Sequence, residues 1–486
     1  MSKFISLFFC LILGSIWSLR GDNRTDKCVQ CASLENGLIA SNSNDLVTAY
    51  NLAVNTLKIN TRRGVISAGA QYGSEWTRDI AINVWNGLPY LNPSVAKRSL
   101  WSVVDSSLVV KHQYWDKIIW VSGAWSYFTA TNDTVFLQKA YTCSVNTMSE
   151  LEQTTFDATD NLFMGPSVFN DGISGYDEPV YQPGVGSSYV LDYPNARKIK
   201  SLSTNCIYLL AYQKMNEMHK VLFNREDAHL LSLTKKLKQA IRLHFWNSQT
   251  ASLAYFIDHL GHVHTQQEGI GIAFAILADV VSTDEASLLV SKMWSSPYGI
   301  PSIYPSFKRF SLEKPGRHNV LIWPVVNGFF SQALAKIGAH RMFDREFFGL
   351  IQLALDEDKG DYDFYEIYNP SDGHTFGGWQ VGHVWDSCLH QSWSASSFLS
   401  MVYYGIIGLD FSSNGLTLHP YLPEGIHHVE LTDLLIDQCR VSIELIGTGG
   451  CIRSILINNE EASTVDLSLP LNEDIRIQMV LSKGLK

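Results

Sequence analysis

The 486-residue sequence lacks the features of several large classes of protein. Only 17% of its residues are charged and 46% are hydrophobic, which excludes a disordered or fibrous chain, because such chains have too little apolar surface to form a core. The sequence contains no internal repeat and no low-complexity segment. Basic residues number 37 against 47 acidic ones, the formal net charge is −10, and no basic stripe is present. Nucleic acid, whose phosphates attract Lys and Arg, is therefore not an expected partner.

Metal-binding motifs are also missing. No DDxxD-type run of carboxylates occurs, which disfavours a terpene-cyclase-like protein, and Asp356-Glu-Asp358 lacks the spacing of a calcium loop. Cys28-x-x-Cys31 could form half of a zinc site, but no second CxxC or His pair is placed to complete it. A local disulfide is the alternative for this pair. We therefore expect no metal and no cofactor.

A long apolar run is found only at the N-terminus. Lys3 precedes the mostly apolar run 4–19. This run is too short to span a bilayer comfortably, and after a basic start it predicts a secretory signal peptide over 1–21, with an uncleaved anchor as the alternative. We expect a secreted protein, or one in the lumen of the endomembrane system, with no membrane contact after the signal is removed.

Cysteine usage fits an oxidising compartment only loosely. Of eight cysteines, Cys10 lies in the predicted signal, and the odd number that remains leaves at least one thiol unpaired. Asn23-Arg-Thr and Asn132-Asp-Thr are acceptor sequons that predict a glycoprotein if the host glycosylates its proteins.

Helical periodicity extends over most of the chain and predicts twelve helices. Local start signals support them: Asn44 as an N-cap, Asn92 before a proline, the capping box Ser282-Thr-Asp-Glu285, and a proline after Trp323. The predicted spans are 45–58, 76–89, 94–110, 115–130, 134–155, 201–220, 225–245, 266–280, 283–294, 324–338, 341–356 and 392–407.

The connections between these helices alternate between short and long. The long ones are 59–75, 156–200, 246–265, 295–323 and 357–391. Because alternate connections of an up-and-down array lie at alternate ends, the long loops are expected to meet at one end. Loops of this length in a compact domain are usually functional. Twelve helices in six hairpins predict an (α/α)6 barrel, with its site at the long-loop end.

After Gly408 the pattern changes from helices to strands. Asn414-Gly415 is a hairpin signal, and apolar residues alternate with polar ones over 441–445 and 475–479. We predict a barrel domain over 35–408, followed by a small C-terminal β-sandwich domain over 409–486 that packs on it.

Aromatic residues are abundant, with 13 Trp, 21 Tyr and 23 Phe. Aromatic faces that stack on sugar rings would explain this excess, and a large aromatic core is the alternative. Trp76-Thr-Arg-Asp79 opens the second predicted helix, where Arg78 could donate to a sugar's hydroxyls and Asp79 could accept from them. A structural ion pair beside a buried tryptophan is the other interpretation. Trp115-Asp116 repeats this pairing of a tryptophan with a carboxylate at the start of a helix. The alternative is that Asp116 is simply a helix cap.

Two further carboxyl groups lie in the longest loops. Asp171 sits in a loop rich in glycine and aromatic residues, where partial desolvation would raise its pKa, as a general acid requires. Its competitors are Asp177 and Glu178, and the alternative is an Asn-Asp-Gly surface turn. Glu366 lies among four aromatic residues, where burial is costly unless the carboxylate is paired or functional.

The alternative for Glu366 is a glutamate at the rim of the site. Gln267 and Glu268, near the start of the eighth predicted helix, are the rival candidates for a base. The sequence alone leaves this choice open.

Several of these segments resemble known enzymes. Trp76-Thr-Arg-Asp79, Phe364-Tyr-Glu-Ile-Tyr-Asn-Pro-Ser-Asp-Gly373 and Gln391-Ser-Trp-Ser-Ala395 are similar to motifs of the six-hairpin glycosidases with an (α/α)6 barrel. The closest relatives would be glycoside hydrolase family 63 and mannosylglycerate-hydrolase-like enzymes. Asn414-Gly-Leu-Thr-Leu-His-Pro-Tyr-Leu-Pro423 resembles the start of their C-terminal β-domain. The resemblance covers about residues 35–485.

The resemblance implies a base at Glu366 and an acid in the loop that holds Asp171. Around Asp171 the chain departs from the family, since Phe-Asn-Asp-Gly stands in place of the usual Trp-Asp-Ser-Gly type of sequence. We expect a glycoside hydrolase that cleaves an α-linked glucoside or mannoside with inversion, acting on an oligosaccharide or small glycoside. The candidate sugar-binding residues are Trp76, Arg78, Asp79, Trp115, Asp116, Trp323, Trp379, Gln391 and Trp393.

Two other functions remain open from the sequence. A glycoside phosphorylase on a related barrel would need phosphate ligands, for which Arg317 and His318 are the only suggestion. A catalytically inactive carbohydrate-binding protein would bind sugar without turnover.

Overall fold

A computed structural model describes residues 37–356 and 362–484. The predicted signal peptide, Cys10, the Cys28-x-x-Cys31 pair and the sequon at Asn23 lie outside the described residues.

Thirteen α-helices occur within the described residues. We label them α1 to α13 in chain order: Asn44–Ile59, Thr77–Trp85, Leu88–Leu91, Pro93–Ser102, Trp120–Thr131, Thr134–Thr155, Leu202–Phe223, Ala228–Phe245, Gly269–Leu277, Thr283–Ser291, Pro324–Lys336, His340–Ala354 and Ser392–Ser400.

Most of the predicted helices are present, and the differences have local causes. The helix predicted over 76–89 divides into α2 and α3, because Gly87 adopts a left-handed conformation with φ 114° and ends the first segment. The helix predicted to reach residue 110 stops at the end of α4. There the Asp105 carboxylate accepts hydrogen bonds from the backbone of Ser107 and Val109 and closes a turn instead.

Six helices contact one another in a closed cycle. α2 packs on α5, α5 on α7, α7 on α9, α9 on α11 and α11 on α13, and α13 returns to α2. Nearly all residues of α5, α9 and α11 are buried, because these helices are apolar or small on every side. Others bury one face only and pack on a member of the cycle, as α1 does on α13, α8 on α7 and α12 on α11.

Small residues set the spacing inside this cycle. In α5, a Cβ on Gly123 would lie 2.9 Å from the carbonyl oxygen of Ala81 in α2. In α11, a Cβ on Gly328 would lie 2.5 Å from the Cβ of Ser397 in α13. Glycine at these two positions therefore allows the helix backbones to approach closely.

Five strands that follow the last helix form one sheet with a strand that precedes α1. The order of this sheet is Leu38–Ser41, His428–Ile436, Cys439–Gly447, Ile475–Ser482, Cys451–Ile457 and Glu460–Ala462. Cys439–Gly447 and Ile475–Ser482 run parallel, and the other neighbours are antiparallel. Three more strands form a second sheet: Leu409–Ser412, Gly415–Leu418 and Asp466–Leu467.

Two details of these sheets differ from the sequence-based expectation. The predicted hairpin is present, but Ser412 pairs with Gly415, so its loop is residues 413–414, one residue earlier than the Asn-Gly signal suggested. The strand Leu38–Ser41, which the sequence did not predict, comes from before α1 and pairs with Val429–Thr432 of the large sheet.

Two further properties concern the membrane and the thiols. No helix within the described ranges combines the length and the apolar character that crossing a membrane requires. Five cysteines of the described chain are free thiols: Cys143, Cys206, Cys388, Cys439 and Cys451.

We expect Gly328→Ala to destabilise the protein by about 1–3 kcal/mol. Alanine favours helix by up to ~1 kcal/mol over glycine, but the contact with Ser397 can be relieved only by moving a backbone, and overpacking costs more than propensity returns. Gly186→Ala is the control, since a Cβ there meets nothing within 4 Å. Thermal unfolding measures both variants. Equal melting temperatures for the two would contradict this packing argument.

Candidate active site

A cavity of about 200 Å³ lies where four of the five predicted long loops meet. Its lining comes from 59–75, 156–200, 295–323 and 357–391, whereas 246–265 contributes nothing. The N-terminal ends of α2, α11 and α13, three members of the helix cycle, also border it. Backbone N–H groups at helix N-termini favour negative charge, which suits a site that contains carboxylates.

The structure brings eight of the eleven predicted site residues to this cavity. These are Trp76, Arg78, Asp79, Asp171, Trp323, Glu366, Gln391 and Trp393.

The other three predicted residues lie outside the cavity lining. Burial corrects the interpretation of Trp115 and Asp116, whereas Trp379 stays a prediction. Trp115 is only 1% exposed, because it packs beneath the loop of Asp171 and donates its indole N–H to the Ser167 carbonyl. Trp379 is beside the cavity, with the Lys314 ammonium over its ring. Asp116 is fully buried.

Asp116 is connected to the cavity through Arg78. Its carboxylate accepts a hydrogen bond from the guanidinium at 3.1 Å, so it is not available as a hydroxyl ligand. It does not cap the helix that follows, because its side chain makes no capping hydrogen bond there.

Glu366 is held in place by backbone pairing of its loop. Its N–H donates to the Cys388 carbonyl at 2.9 Å, and the Gln391 N–H donates to the Phe364 carbonyl at 2.8 Å. The carboxylate is 5% exposed, and its Oε2 accepts from Arg317 at 2.9 Å and from the Cys388 N–H at 3.3 Å. The expectation that a buried glutamate needs a partner is therefore met by Arg317. Among the described residues, no donor binds its Oε1.

Asp171 is more accessible, with a side chain that is 36% exposed. Its Oδ2 accepts from Arg78 at 3.1 Å, and its Oδ1 lies 3.5 Å from Nε2 of His318. Position 172 requires glycine, because a Cβ there would lie 2.6 Å from the His318 ring. Burial acts to raise the pKa of Asp171, but the charge and hydrogen bond of Arg78, together with His318 and Arg317, outweigh it and lower that pKa below the usual value. The expectation of a raised pKa is wrong for the unliganded site.

Arg78 connects three carboxylates. It bonds to Asp116 and Asp171, donates to the Val168 carbonyl at 3.2 Å, and lies next to Asp79. One guanidinium cannot neutralise all three carboxylates, and burial raises the pKa of Asp79 and that of Asp116 to about 7. Below pH 7, Asp79 is therefore neutral and can both donate and accept hydrogen bonds, which suits a hydroxyl ligand.

The aromatic residues of the cavity differ in how much ring they expose. Trp76 is 40% exposed and Tyr189 is 43% exposed, so both can offer a face to a ligand. Trp323 and Trp393 are almost entirely buried and pack against each other at 6.0 Å between ring centroids. Gln391 is used within the protein, since its amide donates to the Ala68 carbonyl and accepts from the Trp393 indole.

Sequence reasoning missed several residues of the lining. Tyr72, Tyr189, Gln380 and Trp385 all border the cavity. Tyr72 accepts a hydrogen bond from Arg317 at 3.2 Å, so it helps to orient the partner of Glu366. These residues lie in long loops already marked as functional, but no local motif distinguishes them from other loop aromatics and amides.

The rival carboxylates lie away from the cavity. Asp177 is next to His264, at 3.6 Å, and the Gln267 amide bonds to the backbone of Trp294. Glu268 is fully buried and accepts a hydrogen bond from the Ser167 hydroxyl, in the loop that holds Asp171. Neither Glu178 nor any of these three lines the cavity.

The two suggested phosphate ligands line the cavity, but neither offers an available positive charge to a phosphate. Arg317 is paired with Glu366. Burial lowers the pKa of His318 to about 3, so its imidazole is neutral at ordinary pH. This weakens the phosphorylase alternative.

Comparison with known proteins identifies the family. The model of the mannosylglycerate hydrolase MGH1-like glycoside hydrolase domain matches residues 119–394, which is more than half of the chain. The chain belongs to this family. Both Asp171 and Glu366 lie within the matched region, and the resemblance drawn from the sequence is confirmed. A search of curated proteins finds no match.

Solved structures of glycosidases share the fold. A family 63 mannosylglycerate hydrolase from Thermus thermophilus, in complex with glucose, aligns with a TM-score of 0.59 and 15% identity over 73% of this chain and 99% of that one. A sialidase aligns at 0.68 and 13% identity over 89% of this chain. A family 78 rhamnosidase from Bacillus sp. GL1 aligns at 0.59 and 11% identity over 92% of it. The chain spans only 41% of the sialidase and 44% of the rhamnosidase.

Proposed function

We propose that this protein hydrolyses an α-linked glycoside of the glucoside or mannoside class with inversion at the anomeric carbon. Asp171 protonates the leaving oxygen, and Glu366 activates a water on the opposite face of the sugar. The observation that carries the proposal is that these two carboxyl groups, from different loops, line one cavity within a glycoside hydrolase domain. The mechanism uses no cofactor and no metal.

We also infer the architecture that presents this site. The closed cycle of α2, α5, α7, α9, α11 and α13, with other helices packed on its members, supports an (α/α)6 barrel over 35–408. The two sheets support a C-terminal β-sandwich domain over 409–486, which the N-terminal strand Leu38–Ser41 completes.

The contacts of Glu366 suit a general base. The ion pair with Arg317 holds the carboxylate in place through Oε2, and the unbonded Oε1 is the atom that would take a proton from water. Tyr72 and the Gly377 carbonyl accept from the same guanidinium and hold it in a fixed position. The base therefore needs little rearrangement when substrate binds.

Asp171 has to gain a proton before it can act as an acid. In the unliganded site Arg78 keeps it anionic. A sugar that takes hydrogen bonds from Arg78 and excludes water from the cavity weakens two of the influences that favour the charged form of Asp171, the hydrogen bond from Arg78 and solvation. Substrate binding itself would then raise the pKa of Asp171.

The two carboxylates are held by different cations, an arrangement that agrees with the wider spacing of an inverting pair. Asp171 is bound by Arg78 and Glu366 by Arg317, and among the described residues no hydrogen-bond donor serves both. Inverting pairs lie about 6.5–9.5 Å apart to admit a water, whereas retaining pairs lie about 5–5.5 Å apart. Trp76 and Tyr189 would stack on the sugar, and Asp79 would bind its hydroxyls.

The protein is further proposed to enter the secretory pathway. Support comes from the sequence of 1–21, which lies outside the described residues. Asn132, at the end of α5, stays a predicted glycosylation site.

Asp171→Asn and Glu366→Gln should each fold normally and lower kcat by about 10²–10⁴-fold, because each removes one proton transfer. The loss for Asp171→Asn should shrink on an aryl glycoside with a good leaving group. Asp177→Asn, in the same loop but outside the cavity, is the control and should keep near wild-type kcat.

The assay is run on α-glucosides and α-mannosides with and without phosphate. Near wild-type turnover by either catalytic variant would remove that residue from the mechanism. A sugar phosphate as the product would indicate a phosphorylase instead.

The pH dependence should differ between kcat/KM and kcat. The first reports the free enzyme, where the pKa of Asp171 is lowered, and the second reports the substrate complex, where it is raised. Because the acid must be protonated, the alkaline limb of kcat should lie at higher pH than that of kcat/KM. Steady-state rates from about pH 3 to about pH 9 measure this, and coincident limbs would contradict the proposed protonation on binding.

A further inference from the structure

Glu268 is a buried carboxylate for which the proposed mechanism has no direct use. It precedes α9, its side chain is 0% exposed, and it does not line the cavity. Its Oε1 accepts from the Ser167 hydroxyl, and its Oε2 accepts from the Ser203 N–H at 3.2 Å. Among the described residues, no Lys, Arg or His forms an ion pair with it.

Burying a carboxylate without a cationic partner costs free energy. Burial raises the pKa of Glu268 to about 7 because no cation offsets the lost hydration. Buried charges are often replaceable by apolar residues without loss of stability, so stability alone does not account for a carboxylate here. Its hydrogen-bond partners indicate a different role.

A chain of hydrogen bonds connects Glu268 to Asp171 through other residues. Ser167 and Ser203, its two partners, are joined through their hydroxyls at 2.9 Å, and the Ser203 hydroxyl also accepts from the Val168 N–H at 3.2 Å. The Val168 carbonyl in turn accepts from Arg78, which binds Asp171.

The other end of the same loop is tied to Ser167 as well. The Ser167 N–H donates to the Tyr176 hydroxyl at 2.8 Å, and that hydroxyl donates to the carbonyl of Asn170 at 2.6 Å. Asn170 directly precedes Asp171. Both the backbone before Asp171 and the guanidinium that binds it are thus connected to Ser167.

We propose that Glu268 is a positioning residue that fixes the acid loop, residues 167–171, through Ser167 and Ser203. The inference rests on the proposed role of Asp171 as the acid. Loss of this anchor displaces the Asp171 carboxyl from the leaving oxygen without removing any group that touches the sugar. The defect should therefore appear in kcat, and mainly with substrates whose leaving group needs a proton.

Glu346 provides a matched control. It is also a buried glutamate, 1% exposed, whose pKa burial raises to about 7. Its carboxylate accepts from the Ile300 N–H at 3.1 Å and from the Asn327 amide at 2.7 Å. It lies in α12 and does not line the cavity. Substitution of Glu346 therefore measures how much stability is lost when a buried glutamate outside the cavity lining is removed.

The experiment compares Glu268→Ala, Glu268→Gln and Glu346→Ala on an alkyl glycoside and on an aryl glycoside with a good leaving group. Glu268→Ala should lower kcat roughly 10- to 100-fold on the alkyl substrate and much less on the aryl one, with KM changed less than about twofold. Glu268→Gln should recover most of the rate, because an amide can still bond to both serines. Glu346→Ala should lower the melting temperature and leave both kcat values unchanged.

Ser167→Ala serves if Glu268→Ala does not fold, and it should show the same dependence on the leaving group. Equal losses on both substrates, or a change in melting temperature alone, would overturn the positioning role. The two proposals are separable through Asp171→Asn. If that variant shows no leaving-group dependence, the acid assignment fails; if it does and the Glu268 and Ser167 variants do not, only this inference fails.

Discussion

The buried guanidinium of Arg78 is the interaction on which the rest of the site depends. From the first turn of α2 it reaches Asp116 ahead of α5 and both Val168 and Asp171 in the acid loop, so it joins three separate parts of the chain. Its charge lowers the pKa of Asp171, but it cannot serve every neighbour, and burial raises the pKa of Asp79 and of Asp116. The protonation pattern around Arg78 therefore combines the charge of this cation with the burial of its neighbours.

A second arginine gives the opposite side of the cavity a different character. Arg317 holds Glu366, which is almost completely enclosed, whereas Asp171 is over one-third exposed. An enclosed carboxylate held by a fixed cation suits a base that keeps one orientation. A more accessible carboxyl suits an acid that must be reprotonated in each cycle. The proposed division of roles therefore follows from the surroundings of each group rather than from its residue type.

The sequence predicted much of this arrangement because the relevant signals are local. N-caps, prolines and apolar periodicity marked the helices, and loop lengths marked the end of the array where Asp171 and Glu366 meet. The errors at the site, unlike those in the helix boundaries, depend on contacts distant in the sequence. Trp115-Asp116 looks like Trp76-Thr-Arg-Asp79, and only packing under the acid loop buries the first tryptophan. The pKa of Asp171 depends on a partner 93 residues away, and strand Leu38–Ser41 pairs with residues of the C-terminal sheet.

The central claim is single-displacement hydrolysis by Asp171 and Glu366, and its most direct test is the configuration of the first product. Proton NMR of the sugar released from an α-glycoside, recorded before mutarotation, distinguishes the two mechanisms. The account predicts that the β-anomer appears first, because water attacks the face opposite to the leaving group. Initial release of the α-anomer would contradict it and would make Glu366 a nucleophile rather than a base.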